Sequence, residues 1–380
     1  MTGQTGKRIA AWLLALLLIW PAISAGEGSD VEEEYDPEYE ETYEEEYGYD
    51  EEDDPEYSER EEAAEPEEEA PVAVVTDDGY QLDAEGFLTG ENPGPEYILE
   101  DEKNGVWQYA SKDLSIVIHR YREKFEKNKK RTREYCVAEI RTREEKPLYN
   151  IGTEAAGKYV HPGIRQDHPE KLMEDHPSVF AMSDDMYGLR IMPTGKNKTK
   201  YDYHGVIIRD GEIYATKTRK GPAEGKKDTR PWPNLDTMAL YEDGSMKTFV
   251  SDELKAEEYL DQGAIDVFAF GPRLITDGEI NPAVLNPKYY PYNEPRLAFG
   301  MVEPRHYIAI GVAGRPEKTY AGVHLDWLAE KMKEYGCREA LNLDGGATVI
   351  MAFMNKAILR GDMSSPRNIG SMIAFGLREE

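Results

Sequence analysis

The sequence places a carboxylate directly before two glycines at residues 342–348, which read Asn-Leu-Asp-Gly-Gly-Ala-Thr. The apolar residues 340–343 in front of it are typical of a short buried strand. At the end of such a strand Asp344 can exchange a proton, and Gly345 and Gly346 let a ligand approach backbone N–H groups that suit an anion. Spacing alone favours a simpler interpretation, an Asp-Gly turn that joins 340–343 to a strand at 349–353.

Two other positions combine charge with an apolar strand. Ser183, Asp184 and Asp185 follow the apolar residues 179–182, and paired carboxylates there suit acid–base chemistry, cation binding or the capping of a turn. Arg296 enters an apolar strand, where an arginine normally needs an anionic partner. The histidines show no metal-ligand spacing such as His-x-x-x-His, so we assign no metal ligand, and no cofactor is indicated.

The elements that must position these residues are mostly strands. Asp-Gly pairs at 210–211, 243–244 and 277–278 each follow a run of strand-forming residues and predict three β-hairpins. Strand candidates at 114–118 and 135–140 flank the basic stretch 124–133, which is typical of a charged hairpin end.

Two helices are predicted. Apolar residues at helical spacing begin at Leu325, and Gly336 stands where a glycine commonly ends a helix. A second helix is predicted at 169–174. Hairpins combined with two or three helices predict an α+β fold, a mixed, hairpin-rich β-sheet domain with a few packed helices.

The acidic excess is confined to one segment. The 380 residues carry a formal net charge of −30, of which residues 27–70, with 25 acidic residues and Arg60, contribute −24. Like charges and few apolar groups predict an extended, disordered segment at 26–71 in front of the folded domain. An excess of this size argues against nucleic acid as a partner, and we expect none.

The first residues predict export. Lys7 and Arg8 precede an apolar run at 9–20 and small residues at 22–26, the order of a signal peptide, here 1–25. An uncleaved anchor is the alternative, but the run is shorter than the roughly 20 residues that a spanning helix needs. We therefore expect a secreted or cell-envelope protein with no stable membrane anchor after cleavage. Cys136 and Cys337 could then form a disulfide, or remain two buried thiols.

Five blocks of sequence, in order, carry a resemblance to a known family: 181–188, 205–211, 268–274, 295–300 and 340–353. From about Leu114 to Gly376 the chain resembles the phosphodiester glycosidase family, and the bacterial exported members in particular. With this resemblance the chain divides into four parts: the signal peptide 1–25, the acidic linker 26–71, an N-terminal β-hairpin region 72–148 and a phosphodiester glycosidase-like domain 149–380.

The resemblance implies hydrolysis of the glycosidic bond of a sugar-1-phosphodiester, with a sugar-phosphate or glycan of the cell wall or an exopolysaccharide as substrate. Asp344 and Asp185 would act as base or nucleophile, and Arg296 would stabilise the phosphate. The implied substrate-binding residues are Asn342, Gly345, Gly346, Thr348 and Ser183. A phosphate monoester, with a second pKa of about 6, is a good leaving group, so anion stabilisation matters more than an acid.

Several family positions are substituted. Ser183-Asp184 stands for the usual Asn-Gly pair, Ile350 for a threonine and Ala313 for an aspartate. These changes remove hydrogen-bonding groups, so a non-catalytic relative that binds anionic glycans, with the basic stretches 124–133 and 217–230, is the alternative function. A scaffold role of the acidic segment is the least supported hypothesis.

Overall fold

The computed structural model describes residues 74–125, 130–152, 167–185, 191–194, 200–223, 225–230, 233–286, 288–314, 319–362 and 367–378. The predicted signal peptide and acidic segment lie outside these residues. Within the described part of the chain, no helix is long and apolar enough to cross a membrane.

Strands are the most abundant regular elements of the described residues. In chain order they are β1 (Val74–Val75), β2 (Gln81–Leu82), β3 (Tyr97–Asp101), β4 (Val106–Ala110), β5 (Leu114–Lys124), β6 (Thr132–Thr142), β7 (Tyr149–Gly152), β8 (Ser178–Ser183), β9 (Ile191–Thr194), β10 (Lys200–Tyr203), β11 (Gly205–Arg209), β12 (Glu212–Lys217), β13 (Asp236–Tyr241), β14 (Met246–Phe249), β15 (Ala264–Phe270), β16 (Arg273–Thr276), β17 (Glu279–Ile280), β18 (Arg296–Glu303), β19 (His306–Ala313), β20 (Glu339–Asn342), β21 (Ile350–Phe353), β22 (Lys356–Arg360) and β23 (Ser371–Leu377).

Four short helices accompany the strands, so the described residues have the mixed, β-rich composition of an α+β fold. They are α1 (Pro169–Asp175), α2 (Ala256–Asp261), α3 (Pro282–Leu285) and α4 (Leu325–Glu334). Both predicted helices are confirmed as α1 and α4. Gly336 follows α4 with φ 82°, a conformation that glycine adopts without strain, and its N–H donates to the carbonyl of Lys333.

The strands form three large antiparallel sheets. A nine-stranded sheet has the order β17-β16-β20-β18-β19-β6-β5-β4-β3. The first five-stranded sheet is β12-β11-β15-β13-β14, and the second is β22-β21-β8-β23-β7. The main core contains residues of all three, among them Phe268, Phe299 and Phe375, and therefore joins the nine-stranded sheet to both smaller ones.

Helices cover the other faces of the sheets. Leu328 and Met332 of α4 pack with Ala298 and Ile310 of the nine-stranded sheet, because the apolar residues of α4 lie on one face at helical spacing. Helix α1 packs on the second five-stranded sheet and α2 on the first. The two cysteines are buried free thiols in different cores, Cys136 in the main core and Cys337 beneath α4, which favours the interpretation as two thiols over a disulfide.

The predicted hairpins are present, with one difference in geometry. Asp210 and Gly211 have φ of 51° and 75°, and Asp277 and Gly278 have 51° and 84°, as two-residue hairpin turns require. The pair at 243–244 lies in a longer loop between β13 and β14, where only the glycine has positive φ. Strands β5 and β6 pair along their full length, as predicted, and β6 continues the sheet to β19.

The Asp-Gly turn predicted at residue 344 is wrong as a hairpin. Strand β20 belongs to the nine-stranded sheet and β21 to the second five-stranded sheet, so the chain crosses between sheets here through a 3-10 turn at Gly346–Thr348. This connection is determined by the pairing of strands that are distant in the sequence, and the local sequence carries no information about that pairing. The crossing places Asp344 where the two sheets meet.

Candidate active site

Asp344 lies where the ends of two strands from different sheets meet. It lies two residues after the end of β20, and its N–H donates at 3.2 Å to the carbonyl of Asp184, which directly follows β8. Ser183, the last residue of β8, accepts a hydrogen bond at its hydroxyl from the N–H of Ile350 at 3.2 Å. These two contacts join three segments that the sequence singled out separately.

The carboxyl group of Asp344 is buried and incompletely bonded. The residue is 7% exposed, and among the described residues its Oδ2 has no hydrogen-bond partner. Burial raises the pKa of Asp344 to about 7, against the opposing effects of the Thr348 hydrogen bond and the charge of Arg367, and the charge of Asp184 adds to the rise. A carboxyl group with this pKa can take or give a proton near neutral pH.

Asp184 and Asp185 share an arginine that the sequence did not assign to the site. Arg209, at the end of β11, lies with its Nη2 2.6 Å from Oδ1 of Asp185 and 3.6 Å from Oδ2 of Asp184. The other oxygen of Asp185 accepts from the N–H of Ala269, and the hydroxyl of Ser371 donates to Asp184. With both oxygens bonded and no exposed surface, Asp185 has the geometry of a positioning group.

The glycines serve close packing as much as ligand access. A Cβ at Gly345 would lie 2.6 Å from the carbonyl oxygen of Pro295, so a larger residue does not fit there. The N–H of Gly346 donates to that same oxygen at 3.0 Å. The N–H group of Gly346 is therefore occupied, contrary to the prediction that it binds an anion. The single hydroxyl proton of Thr348 is shared between the carbonyl of Gly345, at 2.5 Å, and the carboxyl group of Asp344.

Arg296 is buried at the start of β18, and its guanidinium group contacts main-chain carbonyls and an aromatic ring. Its Nη2 donates to the carbonyl of Tyr292 at 3.0 Å and its Nε to that of Val323 at 3.4 Å, and it lies 5.0 Å from the ring centre of Tyr290. Burial lowers its pKa to about 10, and the charge of Glu294 partly offsets this. The guanidinium group remains charged at neutral pH.

Asn342, the last residue of β20, is fully buried two residues before Asp344. Its Nδ2 donates to the carbonyls of Gly271 at 3.0 Å and Leu343 at 2.8 Å, and among the described residues its Oδ1 has no hydrogen-bond partner. Gly271 in turn donates its N–H to the carbonyl of Asn342. The asparagine therefore holds the end of β15 against the end of β20.

Two arginines complete the site beyond the predicted residues. Arg209 ends an apolar strand, the same signal that singled out Arg296, and could have been found in that way. Arg367 is exposed, and its N–H donates to the carbonyl of Ala347 at 3.1 Å. Nothing in the local sequence marks Arg367, because only the crossing between the sheets brings it near Asp344. Within the described ranges, no three His, Cys, Asp or Glu residues are arranged to hold a metal ion.

Comparison with known proteins finds a match to one family. Residues 191–376 match the family model of the phosphodiester glycosidases. The resemblance to this family is confirmed. The matched segment contains Arg209, Arg296 and Asp344, whereas Ser183, Asp184 and Asp185 lie before it.

Two individual proteins are similar to parts of this chain. One is a solved structure, the catalytic domain of zebrafish N-acetylglucosamine-1-phosphodiester alpha-N-acetylglucosaminidase, auto-inhibited by its pro-peptide. It matches with a TM-score of 0.50 and 15% sequence identity, and the match covers 74% of this chain and 88% of that one. It supports the fold alone. The SPbeta prophage-derived uncharacterized protein YomE of Bacillus subtilis (strain 168) is 27% identical over 155 residues, 39% of this chain. The matched part spans under a quarter, 23%, of that relative's length.

Proposed function

We propose that the protein hydrolyses the glycosidic bond of sugar-1-phosphodiesters, with Asp344 as the general base. The observation that carries this proposal is the buried carboxyl group of Asp344, which has a raised pKa of about 7 and one oxygen without a described partner. A base is most effective when its pKa lies near the working pH, and few carboxyl groups reach that range.

In the proposed reaction a water molecule gives a proton to Asp344, and the oxygen of that water bonds to the anomeric carbon. The bond from that carbon to the phosphate oxygen breaks, and its electron pair stays on the phosphate. The phosphate leaves as a stable anion, so it needs little protonation. Asp184 and Asp185, held by Arg209, keep negative charge near the oxocarbenium-like centre.

The leaving phosphate requires positive charge. Arg367 is exposed, and its charge already influences Asp344, so it is placed to contact an oxygen of the phosphate. Arg296, the residue that the sequence predicted for this role, adds a second charge behind Tyr290. Positive groups fixed before the reaction stabilise the charge that develops on the leaving oxygen.

The natural substrate that we propose is a sugar phosphate in a cell-wall or exopolysaccharide glycan, reached after export of the protein. This rests on the predicted signal peptide at 1–25 and on the resemblance to exported bacterial members of the family. Detection of the mature chain, without its first 25 residues, in the cell envelope or medium of a producing bacterium would support it.

Hydrolysis itself is tested with the full-length protein and two probes, methyl N-acetylglucosamine-1-phosphate and UDP-N-acetylglucosamine. We expect release of free sugar, reduced about 10³-fold in Asp344→Asn because a general base contributes 10²–10⁴-fold. Asp261→Asn, an exposed aspartate at the end of α2, is the matched control and should retain full activity. Release that is unchanged in Asp344→Asn would show that the base is elsewhere. Binding of these compounds without any release would favour the non-catalytic relative.

A further inference from the structure

A cavity of about 530 Å³ lies next to the predicted phosphate-binding arginine. The side chains that matter for its chemistry are Lys227, Arg230, Lys288, Tyr289 and Tyr290. Cavities of 300–1,000 Å³ accommodate ligands of the size of a nucleotide or a disaccharide. Two tyrosines line the wall, and aromatic side chains can stack with a ring of a ligand.

One wall of the cavity is a saturated ion network. Arg230 binds Asp228 through two hydrogen bonds, Nε to Oδ1 at 2.9 Å and Nη2 to Oδ2 at 2.6 Å, and binds Asp236 at 2.8 Å. Asn234 donates to Asp236 at 2.9 Å and to the hydroxyl of Tyr289 at 3.2 Å. Arg230 and Arg273, whose Nε lies 3.8 Å from Asp236, together balance the charges of these two carboxylates. The network therefore fixes the shape of the wall.

The remaining charges of the cavity are not balanced. Lys227 and Lys288 are exposed, and in the described part of the chain neither ammonium group has an ion-pair partner. The cavity therefore carries a surplus of two positive charges in a protein whose net charge is −30. Exposed lysines are common, but two of them at one aromatic-walled cavity favour an anionic ligand.

Two contacts connect the cavity to the candidate active site. Tyr290 lines the cavity and its ring also lies 5.0 Å from the guanidinium carbon of Arg296. On the other side, Asn234 packs against Gly271 so closely that a Cβ at Gly271 would lie 2.0 Å from Oδ1 of Asn234. The carbonyl of Gly271 in turn accepts a hydrogen bond from Asn342. The cavity thus adjoins the two residues at the start of β18 and the end of β20.

We propose that this cavity binds the part of the substrate beyond the scissile phosphate when that part carries a further negative charge, such as a second phosphoryl group with a ring stacked on the tyrosines. This inference rests on the proposed hydrolysis of sugar-1-phosphodiesters and gives it a leaving-group specificity. The ligand class is a phosphorylated leaving group, with the second charge next to Lys227 and Lys288.

The test compares the full-length protein with Lys227→Met/Lys288→Met and with a control of equal charge change, Lys220→Met/Lys226→Met, whose exposed lysines lie in the same region but outside the cavity. UDP binding is measured by calorimetry at low salt. The dissociation constant should rise about tenfold in the cavity variant, since two exposed charge pairs of under about 1 kcal/mol each together contribute about 1.4 kcal/mol, which is a factor of ten. It should stay unchanged in the control. The ratio of KM for UDP-N-acetylglucosamine to KM for the methyl phosphodiester should rise by a similar factor.

The outcomes separate this inference from the proposed function. If neither sugar phosphodiester is hydrolysed but UDP affinity falls in the cavity variant alone, the cavity site stands and the hydrolysis does not. If both are hydrolysed while UDP affinity and the KM ratio are the same in the two variants, the cavity inference is wrong and the hydrolysis stands. Absence of UDP binding to the unaltered protein also overturns the cavity site.

Discussion

Two buried groups of carboxylates differ in how completely they are bonded. In the cavity wall, each oxygen of Asp228 and Asp236 accepts at least one hydrogen bond, from Arg230, Asn234 or a main-chain N–H. Where the two sheets meet, Asp185 is equally saturated by Arg209 and Ala269, but the carboxyl of Asp344 has an oxygen without a described partner.

This difference in hydrogen bonding identifies the carboxyl group that is available for chemistry. Full bonding stabilises ionised carboxylates, and the pKa of Asp228 is lowered because the hydrogen bonds from Arg230 outweigh its burial. Incomplete bonding leaves Asp344 with a raised pKa and free capacity to accept a proton. Natural proteins rarely leave a buried polar atom unpartnered, and a catalytic role is one of the explanations for such an atom.

The largest expected effect is on stability, when either network loses its arginine. Arg209→Met and Arg230→Met should each lower the free energy of unfolding by about 3–5 kcal/mol, because each removes a buried cation that two carboxylates share. Lys356→Met, which breaks the exposed pair with Glu100, is the control and should cost less than about 1 kcal/mol. Urea unfolding measures all three. A cost for Arg230→Met no larger than the control would mean that the cavity wall is not held by its ions.

The local elements could be predicted from the sequence, and their pairing could not. Turn chemistry at 210–211 and 277–278 and the helical spacing from Leu325 are local signals, and the structure follows them. The Asp-Gly pair at 344 carries the same local signal yet crosses between sheets, since its neighbours pair with distant strands. For the same reason the sequence singled out Asp185 but did not show that Arg209, which lies 24 residues further along the chain, is its partner.

A smaller effect, of opposite sign, is expected when Asp344 is replaced. Its pKa is about 7 in the folded protein and about 3.9 in an unfolded chain. Between these pH values the folded state holds a proton that the unfolded state has lost, so the free energy of unfolding falls as the pH rises through this window. Asp344→Asn has no such loss and should be more stable than the unaltered protein above pH 7, by up to about 4 kcal/mol.

Thermal or urea unfolding of the two proteins at pH 4 and pH 8 measures this difference. The stabilisation should be present at pH 8 and fall to about 0.5 kcal/mol at pH 4, where Asp344 is protonated in the folded state and about half protonated in the unfolded state. Asp261→Asn, at an exposed position, should show no difference at either pH. Destabilisation by Asp344→Asn at pH 8 would mean that the carboxylate is bonded in the folded state, like those of the cavity wall.

The pH dependence of activity gives the next effect. With the methyl phosphodiester, which has no group titrating near neutrality, kcat/KM should fall about tenfold per pH unit below about pH 7 and level off above it, because only ionised Asp344 accepts the proton of water. A fall above pH 7 would instead make Asp344 the general acid. A profile that is flat from pH 5 to 9 would remove the functional distinction between the two carboxylate groups.

The smallest effect tests the bond that partly stabilises ionised Asp344. Thr348 is buried, and its hydrogen bond lowers the pKa of Asp344. Thr348→Val keeps the shape of the side chain and removes the hydroxyl, so the pKa of Asp344 should rise, and the midpoint of the kcat/KM profile should move to higher pH. The control is Thr142→Val, at an equally buried threonine that accepts a main-chain N–H at the end of β6 and should leave the midpoint in place. An unmoved midpoint in Thr348→Val would show that the group titrating in the profile is not Asp344, even if Asp344→Asn abolishes activity.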